Sequence, residues 1–384
     1  MTKAVRLAPA LVVLFALGAG LSAASLYYNQ PILGQMAAAL GASPRQIGVV
    51  PMLTQLGYAT GILFFAPFGD RFDRRRVIVL KLVALCAALL SAGAASSLAA
   101  LAASSLAIGL VATAAQDFVP AAAALAPAAT RGKVVGMVMT GLLLGILLSR
   151  LLSGAVSEWL GWRAVYFGAA ALIALLAAVS ALRLPVVAAS TSEPYLALLR
   201  SMARLWRELP SLRRATLSQA LLSVAFSAFW STLALAIAAP PFRLGSAAAG
   251  LFGLAGAAGA VAAPLAGTIA DRRGPGLVIS GGALLVIASF LAMALWPGSL
   301  WLLIVGTVAF DLGVQACLIS HQTIVYSLSP AARSRLNALL VCSMFLGMSL
   351  GAAIASQVLA RYGWSGVLGF GAVSATLALV VRWG

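Results

Sequence analysis

The stretch FGDRFDRRR, residues 68–76, places six charged residues within nine positions of a chain that is only 9% charged. A related stretch, GTIADRRGP, occupies residues 267–275. Both stretches carry an Asp-Arg pair, at residues 70–71 and 271–272, and each follows a long apolar run. The recurrence of one charged loop in two apolar halves predicts a duplicated architecture.

Composition places this architecture in a membrane. Of the 384 residues, 62% are hydrophobic and 9% are charged. In a soluble domain about 25% of the residues are charged. Its apolar runs reach the ~20 residues that a helix needs to cross the hydrocarbon core. They lack the ~10-residue alternating segments of a membrane β-barrel. Because lipid offers no hydrogen-bond partner to an open backbone, the runs predict an all-α membrane protein.

Glycine, proline and charge mark the breaks between the apolar runs. The breaks predict twelve transmembrane helices in two pseudo-symmetric six-helix bundles, with LAPAATRGK (125–133) echoed by LSPAARSRL (328–336). The predicted domains are an N-terminal bundle at 1–184, a linker at 185–214 and a C-terminal bundle at 215–384. The predicted helices are 9–29, 47–67, 77–97, 101–125, 134–157, 163–183, 215–239, 247–269, 277–295, 300–327, 336–360 and 365–381.

Basic residues set the predicted orientation. The net charge of +17 would suggest nucleic acid binding in a soluble protein, but here the basic residues cluster in the breaks between helices. Only Arg45, Arg163, Arg243 and Arg361 fall in the breaks on the opposite side of the membrane. By the positive-inside rule both termini are cytoplasmic, and no nucleic acid partner is expected. The cytoplasmic set is Lys3, Arg6, Arg71, Arg74, Arg75, Arg76, Lys81, Arg131, Lys133, Arg183, Arg200, Arg204, Arg207, Arg213, Arg214, Arg272, Arg273, Arg333, Arg335 and Arg382.

The linker contains PYLALLRSMARLWRELP, residues 194–210. Its apolar residues recur with helical spacing, while Arg200, Arg204 and Arg207 occupy the opposite face. This pattern predicts an amphipathic helix on the cytoplasmic membrane surface that tethers the two halves.

Other classes of function find little support. The basic, then apolar, N-terminus is similar to a signal peptide, but the many later spans favour a retained first helix. Cys86, Cys317 and Cys342 lie inside apolar runs without metal or disulfide spacing, so core packing is expected. No phosphate-binding loop or catalytic cluster is present in the sequence. We therefore expect no cofactor, no metal and no enzyme activity.

The charged loops carry a family resemblance. The pattern G-x-x-x-D-R-x-G-R-R between the second and third helices is typical of the major facilitator superfamily, which the whole chain resembles. The second copy keeps Gly267, Asp271, Arg272 and Gly274, while the first has Asp70, Arg71, Arg74 and Arg75 but replaces both glycines. LYYNQP, GLLLGILLSR and DLGVQ are similar to the bacterial efflux branch often labelled arabinose-efflux-permease-like.

The resemblance implies alternating access around a substrate site between the two halves, near the bilayer midplane. It also implies that the charged loops act as a cytoplasmic latch, which a carboxylate near a helix N-terminus and an adjacent arginine can support. The alternative is that these charges set topology only. The predicted latch comprises Asp70, Arg71, Arg74, Arg75, Gly267, Asp271, Arg272 and Gly274.

Ionisable residues inside a span are costly, and are therefore functional candidates. Asp311 lies near the middle of the tenth helix and can carry a proton if burial favours its neutral form. Arg150, in the outer half of the fifth helix, can hold an anion or neutralise a carboxylate. Asp117 differs from Arg150 in depth by roughly 10 Å, so no direct pair is expected. His321 is the fourth candidate, and for Asp311, Arg150 and His321 a purely structural role is the alternative.

Polar and aromatic residues predict the remainder of a cavity for an amphipathic small molecule; helix packing is the alternative for each of them. One departure from the family matters: Ser105 stands four residues before Gly109, where many proton-coupled members have arginine, which argues against the usual proton route. The cavity candidates are Tyr27, Tyr28, Asn29, Gln30, Gln55, Tyr58, Gln219, Phe226, Trp230 and Gln315.

These features predict a secondary transporter that exports a small organic molecule, such as a drug, sugar or metabolite, across the bacterial inner membrane. Proton antiport is the expected coupling, with the substrate, protons and membrane lipid as the partners of a monomer. An uptake symporter or uniporter of the same fold is the alternative, and a receptor without transport is another.

Overall fold

A computed structural model describes residues 8–187, 193–329 and 332–383. Lys3, Arg6, Pro330 and Ala331 of the predicted loops lie outside these ranges, as do the side chains of Asp70, Asp271, Ala66, Pro67 and residues 257–266. Every regular element within the described ranges is a helix. In the first half these are α1 (Pro9–Ala24), α2 (Asn29–Ala39), α3 (Pro44–Ile47), α4 (Val49–Arg71), α5 (Arg74–Gly93), α6 (Leu98–Ala112), α7 (Ala114–Leu125), α8 (Arg131–Leu160) and α9 (Trp162–Arg183).

The second half follows the linker helix. One long element, α15, contains a break at Gly363, whose backbone has φ 67° and ψ −165°. The break falls where the sequence predicts a gap between the last two helices. The elements are α10 (Tyr195–Glu208), α11 (Pro210–Ala238), α12 (Ser246–Arg273), α13 (Pro275–Leu295), α14 (Leu300–Leu328) and α15 (Arg333–Trp383).

The described part of the chain contains nine helices that are long and apolar enough to cross a membrane, or ten if α1 and α2 form one span bent by 40°. α15 counts once despite its break, and α12 qualifies only as the shorter piece Ser246–Gly256. The all-α membrane fold is therefore confirmed. The number twelve remains the count from the sequence.

The first span differs from its prediction. The sequence predicts one helix over 9–29, whereas α1 ends at Ala24 and a new helix, α2, runs from Asn29 to Ala39. Pro31 lies in the first turn of α2, where its missing N–H needs no helical partner. The bend places Tyr27 and Tyr28 between two helices in the interior, where both are buried.

Glycine allows α1 and α8 to approach closely. A Cβ atom added to Gly145 would overlap the Gly20 carbonyl oxygen, and one added to Gly141 would lie 2.6 Å from that of Ala16. Only small residues permit such backbone contact between membrane helices. Phe15 of α1 is fully buried, so the first helix is part of the core.

The two halves meet along α2, α4 and α8 of the first and α11, α12 and α15 of the second. Their polar contacts concentrate at the end that holds the loop after α2, the turn after α8 and the loop before α12. There Gln35 Nε2 donates to Ser157 Oγ at 3.3 Å and, across the halves, to Ser246 Oγ at 3.1 Å. A Cβ atom on Gly154 would overlap the Ser246 carbonyl oxygen. We call these contacts the far-end seal.

The linker helix α10 touches both halves. Tyr195 Oη donates to the Phe64 carbonyl of α4 at 2.9 Å, and Arg335 Nη1 of α15 donates to Ser201 Oγ at 2.8 Å. Its amphipathic character is visible in Leu198 and Met202, which are buried. The predicted domain boundaries at 184 and 215 remain predictions.

Candidate functional site

Arg150 lies at the centre of the contact between the halves. Its side chain is 4% exposed, and its guanidinium carbon lies 4.6 Å from the Tyr27 ring centroid and 4.4 Å from that of Trp230. Arg150 Nε donates to Gln30 Oε1 at 2.7 Å. Tyr27 and Gln30 belong to the first half and Trp230 to the second, so the arginine is held between aromatic rings of both.

Asp311 completes this group. The Trp230 indole Nε1–H donates to Asp311 Oδ1 at 3.3 Å, and the carboxylate is buried. Gly256 provides the space, because a Cβ atom there would lie 2.7 Å from Asp311 Oδ2. We call Tyr27, Gln30, Arg150, Trp230 and Asp311 the central cluster.

The positions of Arg150 and Asp311 along their helices explain why the two charged residues lie at the same depth. Arg150 precedes the end of α8 at Leu160 by ten residues, and Asp311 follows the start of α14 at Leu300 by eleven. At a rise of 1.5 Å per residue, both lie about 15 Å below the same end of the bundle.

A small gap adjoins the central cluster. It is too narrow in this structure to admit a water molecule, and Gln30, Arg150 and Trp230 supply its polar and aromatic lining. The apolar remainder of the lining is Pro31, Leu233, Ala234 and Ala249.

Aromatic side chains extend the wall on both sides. Phe226 lies 6.2 Å from Trp230 and 6.3 Å from Phe310 between ring centroids. In the other direction, Tyr58 packs on Phe345 of the opposite half at 4.3 Å and accepts a hydrogen bond from Gln116 Nε2 at 3.0 Å. The wall therefore spans the boundary between the halves.

The remaining cavity candidates lie on α2, α4 and α14 and at the bend between α1 and α2. Asn29 Nδ2 donates to Thr54 Oγ1 at 3.1 Å. Gln55, fully buried on α4, has neither amide atom hydrogen-bonded within the described residues. Gln315 is half-buried one turn along α14 from Asp311. Tyr28 is buried at the bend between α1 and α2.

His321 and Gln219 form a separate polar pair. His321 Nδ1 lies 3.0 Å from Gln219 Oε1, and both residues are fully buried between α14 and α11. His321 is ten residues beyond Asp311 on one helix, or about 15 Å along its axis. The pair is therefore not in contact with the central cluster.

Asp117 also lies elsewhere, in a buried ion pair. Lys81 Nζ of α5 lies 2.6 Å from Asp117 Oδ2 of α7, and both side chains are almost fully buried. The assignment of Lys81 to a cytoplasmic break is thus wrong: it is an interior residue of α5 that neutralises Asp117. The expectation that Asp117 and Arg150 form no direct pair agrees with this geometry.

The two charged loops are built differently. In the first loop, Asp73 occupies the position of the second glycine of the motif. Its φ is −56°, which does not require glycine, and its side chain caps α5 by accepting a hydrogen bond from the Arg75 N–H. Gly274 has φ 86°, a conformation that favours glycine, and joins α12 to α13. The side chains of Asp70 and Asp271 lie outside the described residues.

The arginines of the first loop bind backbone carbonyls. Arg74 Nε donates to the Gly69 carbonyl at 2.7 Å and is buried, while Arg75 donates to the Ala181 carbonyl of α9. Arg71 lies 5.9 Å from the Phe72 ring centroid. In the second loop Arg272 is exposed, and no atom of the described residues lies within 4 Å of a Cβ atom placed on Gly267.

Sequence reasoning missed several residues of the site. Gln116 and Phe345, the partners of Tyr58, carry no charge and no motif that would single them out. Lys81 had a usable signal, since it is the only lysine within a predicted span. The equal distance of Arg150 and Asp311 from their helix ends was a second signal, visible once the spans were drawn.

Comparison with known proteins agrees with this fold. A profile described as Major Facilitator Superfamily matches residues 15–299 and 215–384. The "Uncharacterized transporter YgaY" of Escherichia coli O157:H7 is 40% identical over 98% of this chain and 96% of its own. The "Probable transporter SCO4007" of Streptomyces coelicolor is 36% identical over 92% of this chain and 82% of its own.

A solved structure supports the architecture. The crystal structure of a point mutant of the nucleoside transporter NupG superposes with a TM-score of 0.81 over 97% of this chain and 99% of that one, at 14% identity. At that identity the likeness shows the fold alone. With the family profile and the relatives, it gives the conclusion that the chain belongs to the major facilitator superfamily and is a membrane transporter of that type.

Proposed function

We propose that this transporter exports a small organic molecule across the bacterial inner membrane by alternating access, with protons moving inward in exchange. The observation that carries the proposal is the central cluster, in which Trp230 touches both Arg150 and Asp311. Burying a carboxylate and an arginine inside membrane helices is costly, so their presence at the boundary of two helical bundles supports a role in transport.

The far-end seal supports alternating access. It closes one end of the bundle through contacts between the halves, among them Gln35 with Ser246. A further contact between the halves lies deeper, where the Ser349 hydroxyl donates to the Met52 carbonyl at 3.0 Å. With both termini in the cytoplasm, this end faces the periplasm. Export then requires the seal to open and the opposite end to close, which the Asp70 and Asp271 loops latch.

Asp311 is the proposed proton carrier. It is buried, yet its one described hydrogen bond comes from a neutral donor, Trp230, rather than from a cation. Such a carboxylate can be neutral in one state of the cycle and ionised in another. In this proposal Asp311 replaces the proton route through an arginine of the fourth helix, which this chain lacks. Ser105 occupies that position, and its hydroxyl donates to the Leu101 carbonyl of the same helix.

Proton-coupled uptake is the second candidate, and Arg150 is the observation that favours it. An anion bound to Arg150 would remove the positive field that stabilises ionised Asp311, so anion and proton would bind together. Cotransport of both would follow. The chemistry of the substrate therefore decides between antiport and symport.

Flux in proteoliposomes tests the proposal. Vesicles containing the purified protein and a trapped pH dye receive an imposed pH gradient and candidate compounds in turn. Antiport predicts that a substrate moves against the proton flow and dissipates the gradient. Movement of the substrate with protons would replace export by symport. Binding without flux under any gradient would favour a receptor.

A further inference from the structure

We infer that the substrate is an amphoteric molecule whose carboxylate binds Arg150 and Gln30 and whose cationic group binds Asp311. The carboxylate part of the inference comes from hydrogen-bond geometry, and the cationic part rests on the proposed antiport function.

Two unused donors mark the carboxylate site. Arg150 Nη2 and Gln30 Nε2 are both buried and have no hydrogen-bond partner among the described residues. They belong to side chains that are bonded to each other through Arg150 Nε and Gln30 Oε1, and both side chains line the same gap. A buried N–H group without a partner is costly, so two of them at one gap indicate that a ligand supplies the acceptors.

The donor set selects an oxyanion. A guanidinium presents its N–H groups in a planar fork that matches a carboxylate, and here the rings of Tyr27 and Trp230 lie against the guanidinium. Gln30 adds a neutral donor beside the fork. Among the described residues, Arg150 forms no ion pair that would already satisfy its charge.

The acceptor for a cation is Asp311. One of its oxygens accepts from Trp230, while Oδ2 faces Gly256 and accepts no hydrogen bond from the described residues. Asp311 likewise has no ion-pair partner in the part of the chain that the structure describes. A molecule that carries both charges therefore pairs both buried groups at once, which leaves the site neutral.

Exchange with protons requires this second charge. An ammonium group and a proton compete for Asp311, so arrival of the substrate releases the proton, as antiport demands. A carboxylate without a cationic group would instead promote protonation of Asp311. The gap is too narrow in this structure to admit a water molecule, so the substrate enters an arrangement in which the halves have moved apart.

Equilibrium binding to the purified protein in lipid nanodiscs tests the inference without any gradient. The probes are the twenty standard amino acids, and each is accompanied by its des-amino acid and its decarboxylated amine. We expect at least one amino acid to bind at least tenfold more tightly than either of its single-charge analogues. Calorimetry in two buffers of different ionisation enthalpy should show proton release on binding, and Asp311→Asn should abolish that release.

Variants assign the binding to the proposed groups. Arg150→Lys and Gln30→Leu should each weaken binding at least tenfold. Arg163→Lys is the matched control, because Arg163 also lies over a tryptophan ring, at 4.3 Å from Trp162, and donates to the Ala95 carbonyl, but lies outside the central cluster. Melting temperatures establish that each variant is folded, and Gln30→Leu keeps the test open if Arg150→Lys unfolds.

Three results would overturn the inference: no amino acid binds, a des-amino acid binds as tightly as its parent, or binding survives both Arg150→Lys and Gln30→Leu. Failure of the proposed function looks different. Amino acid binding with proton release but without gradient-driven exchange would retain this site and reject export by antiport.

Discussion

Arg150 and Asp311 both contact the indole ring of Trp230. The guanidinium of Arg150 lies over the face of Trp230 at 4.4 Å, and the carboxylate of Asp311 accepts the indole N–H at 3.3 Å. The arginine belongs to the first half and the tryptophan and aspartate to the second. Movement of one half against the other must therefore break or rebuild the contact between Arg150 and Trp230, which couples the state of Asp311 to the position of the halves.

Trp230→Phe isolates the role of the indole N–H. The variant keeps an aromatic face for Arg150 but removes the donor to Asp311, which should lower the free energy of unfolding by about 1 kcal/mol. We expect a change in the pH dependence of transport with little change in exchange at equal pH. The control is Trp364→Phe, since Trp364 packs on Phe229 outside the central cluster. Identical pH profiles for the two variants would contradict the role.

Asp311→Asn tests the proton carrier. The amide cannot release a proton, so flux driven by a pH gradient should fall to background. Exchange of labelled for unlabelled substrate should continue at substrate concentrations raised to offset the weaker binding of the cationic group. Both are measured on the same vesicles. If driven flux is unchanged, Asp311 is not on the proton path.

The Lys81–Asp117 pair should be a stability element. Lys81→Ala removes the ammonium group 2.6 Å from a buried carboxylate, and breaking such a pair from one side costs about 3–5 kcal/mol. Lys81→Met combined with Asp117→Leu should recover much of that loss. The measurement is thermal unfolding of the purified variants in a double-mutant cycle. Additive losses would show that the two side chains do not interact.

Gly154→Ala should oppose closure of the far-end seal. The added methyl group would overlap the Ser246 carbonyl oxygen, and such overpacking costs about 1–3 kcal/mol. That energy shifts the equilibrium between sealed and open arrangements by about 5- to 150-fold. Distances between spin labels across the seal should show more of the open population.

Gly136→Ala on the same helix is the matched control, because no described atom lies within 4 Å of its added Cβ. It should leave the distance distribution unchanged. A Gly154→Ala protein with the same distribution as Gly136→Ala would mean that the seal tolerates the methyl group.

The fold was predictable because the length of each apolar segment and the charges of the loops beside it can be read from consecutive residues. The break at Gly363 and the amphipathic α10 follow from composition, and both are present in the structure. The bend at Tyr27 was not predictable in this way. It depends on where Pro31 falls within the tertiary path of α2, and apolar length is the same for a straight and a bent helix.

The site was only partly predictable. Charge inside a span identified Arg150 and Asp311, but nothing local indicated that Trp230 joins them. The same rule selected Asp117, whose charge the structure neutralises with Lys81. Which buried charges pair depends on the rotation of each helix about its axis, and that rotation is set by packing between helices.

Alternating movement of the two halves is the central claim, and a reversible crosslink tests it directly. In a background with Cys86, Cys317 and Cys342 replaced by alanine, Gln35→Cys with Ser246→Cys joins the halves across the far-end seal. Gln35→Cys with Ser157→Cys is the matched control, since it places the same bridge within the first half. We predict that oxidation abolishes flux in the first pair and that reduction restores it, while the control keeps its flux. Full flux through completely crosslinked Gln35→Cys/Ser246→Cys protein would contradict the account.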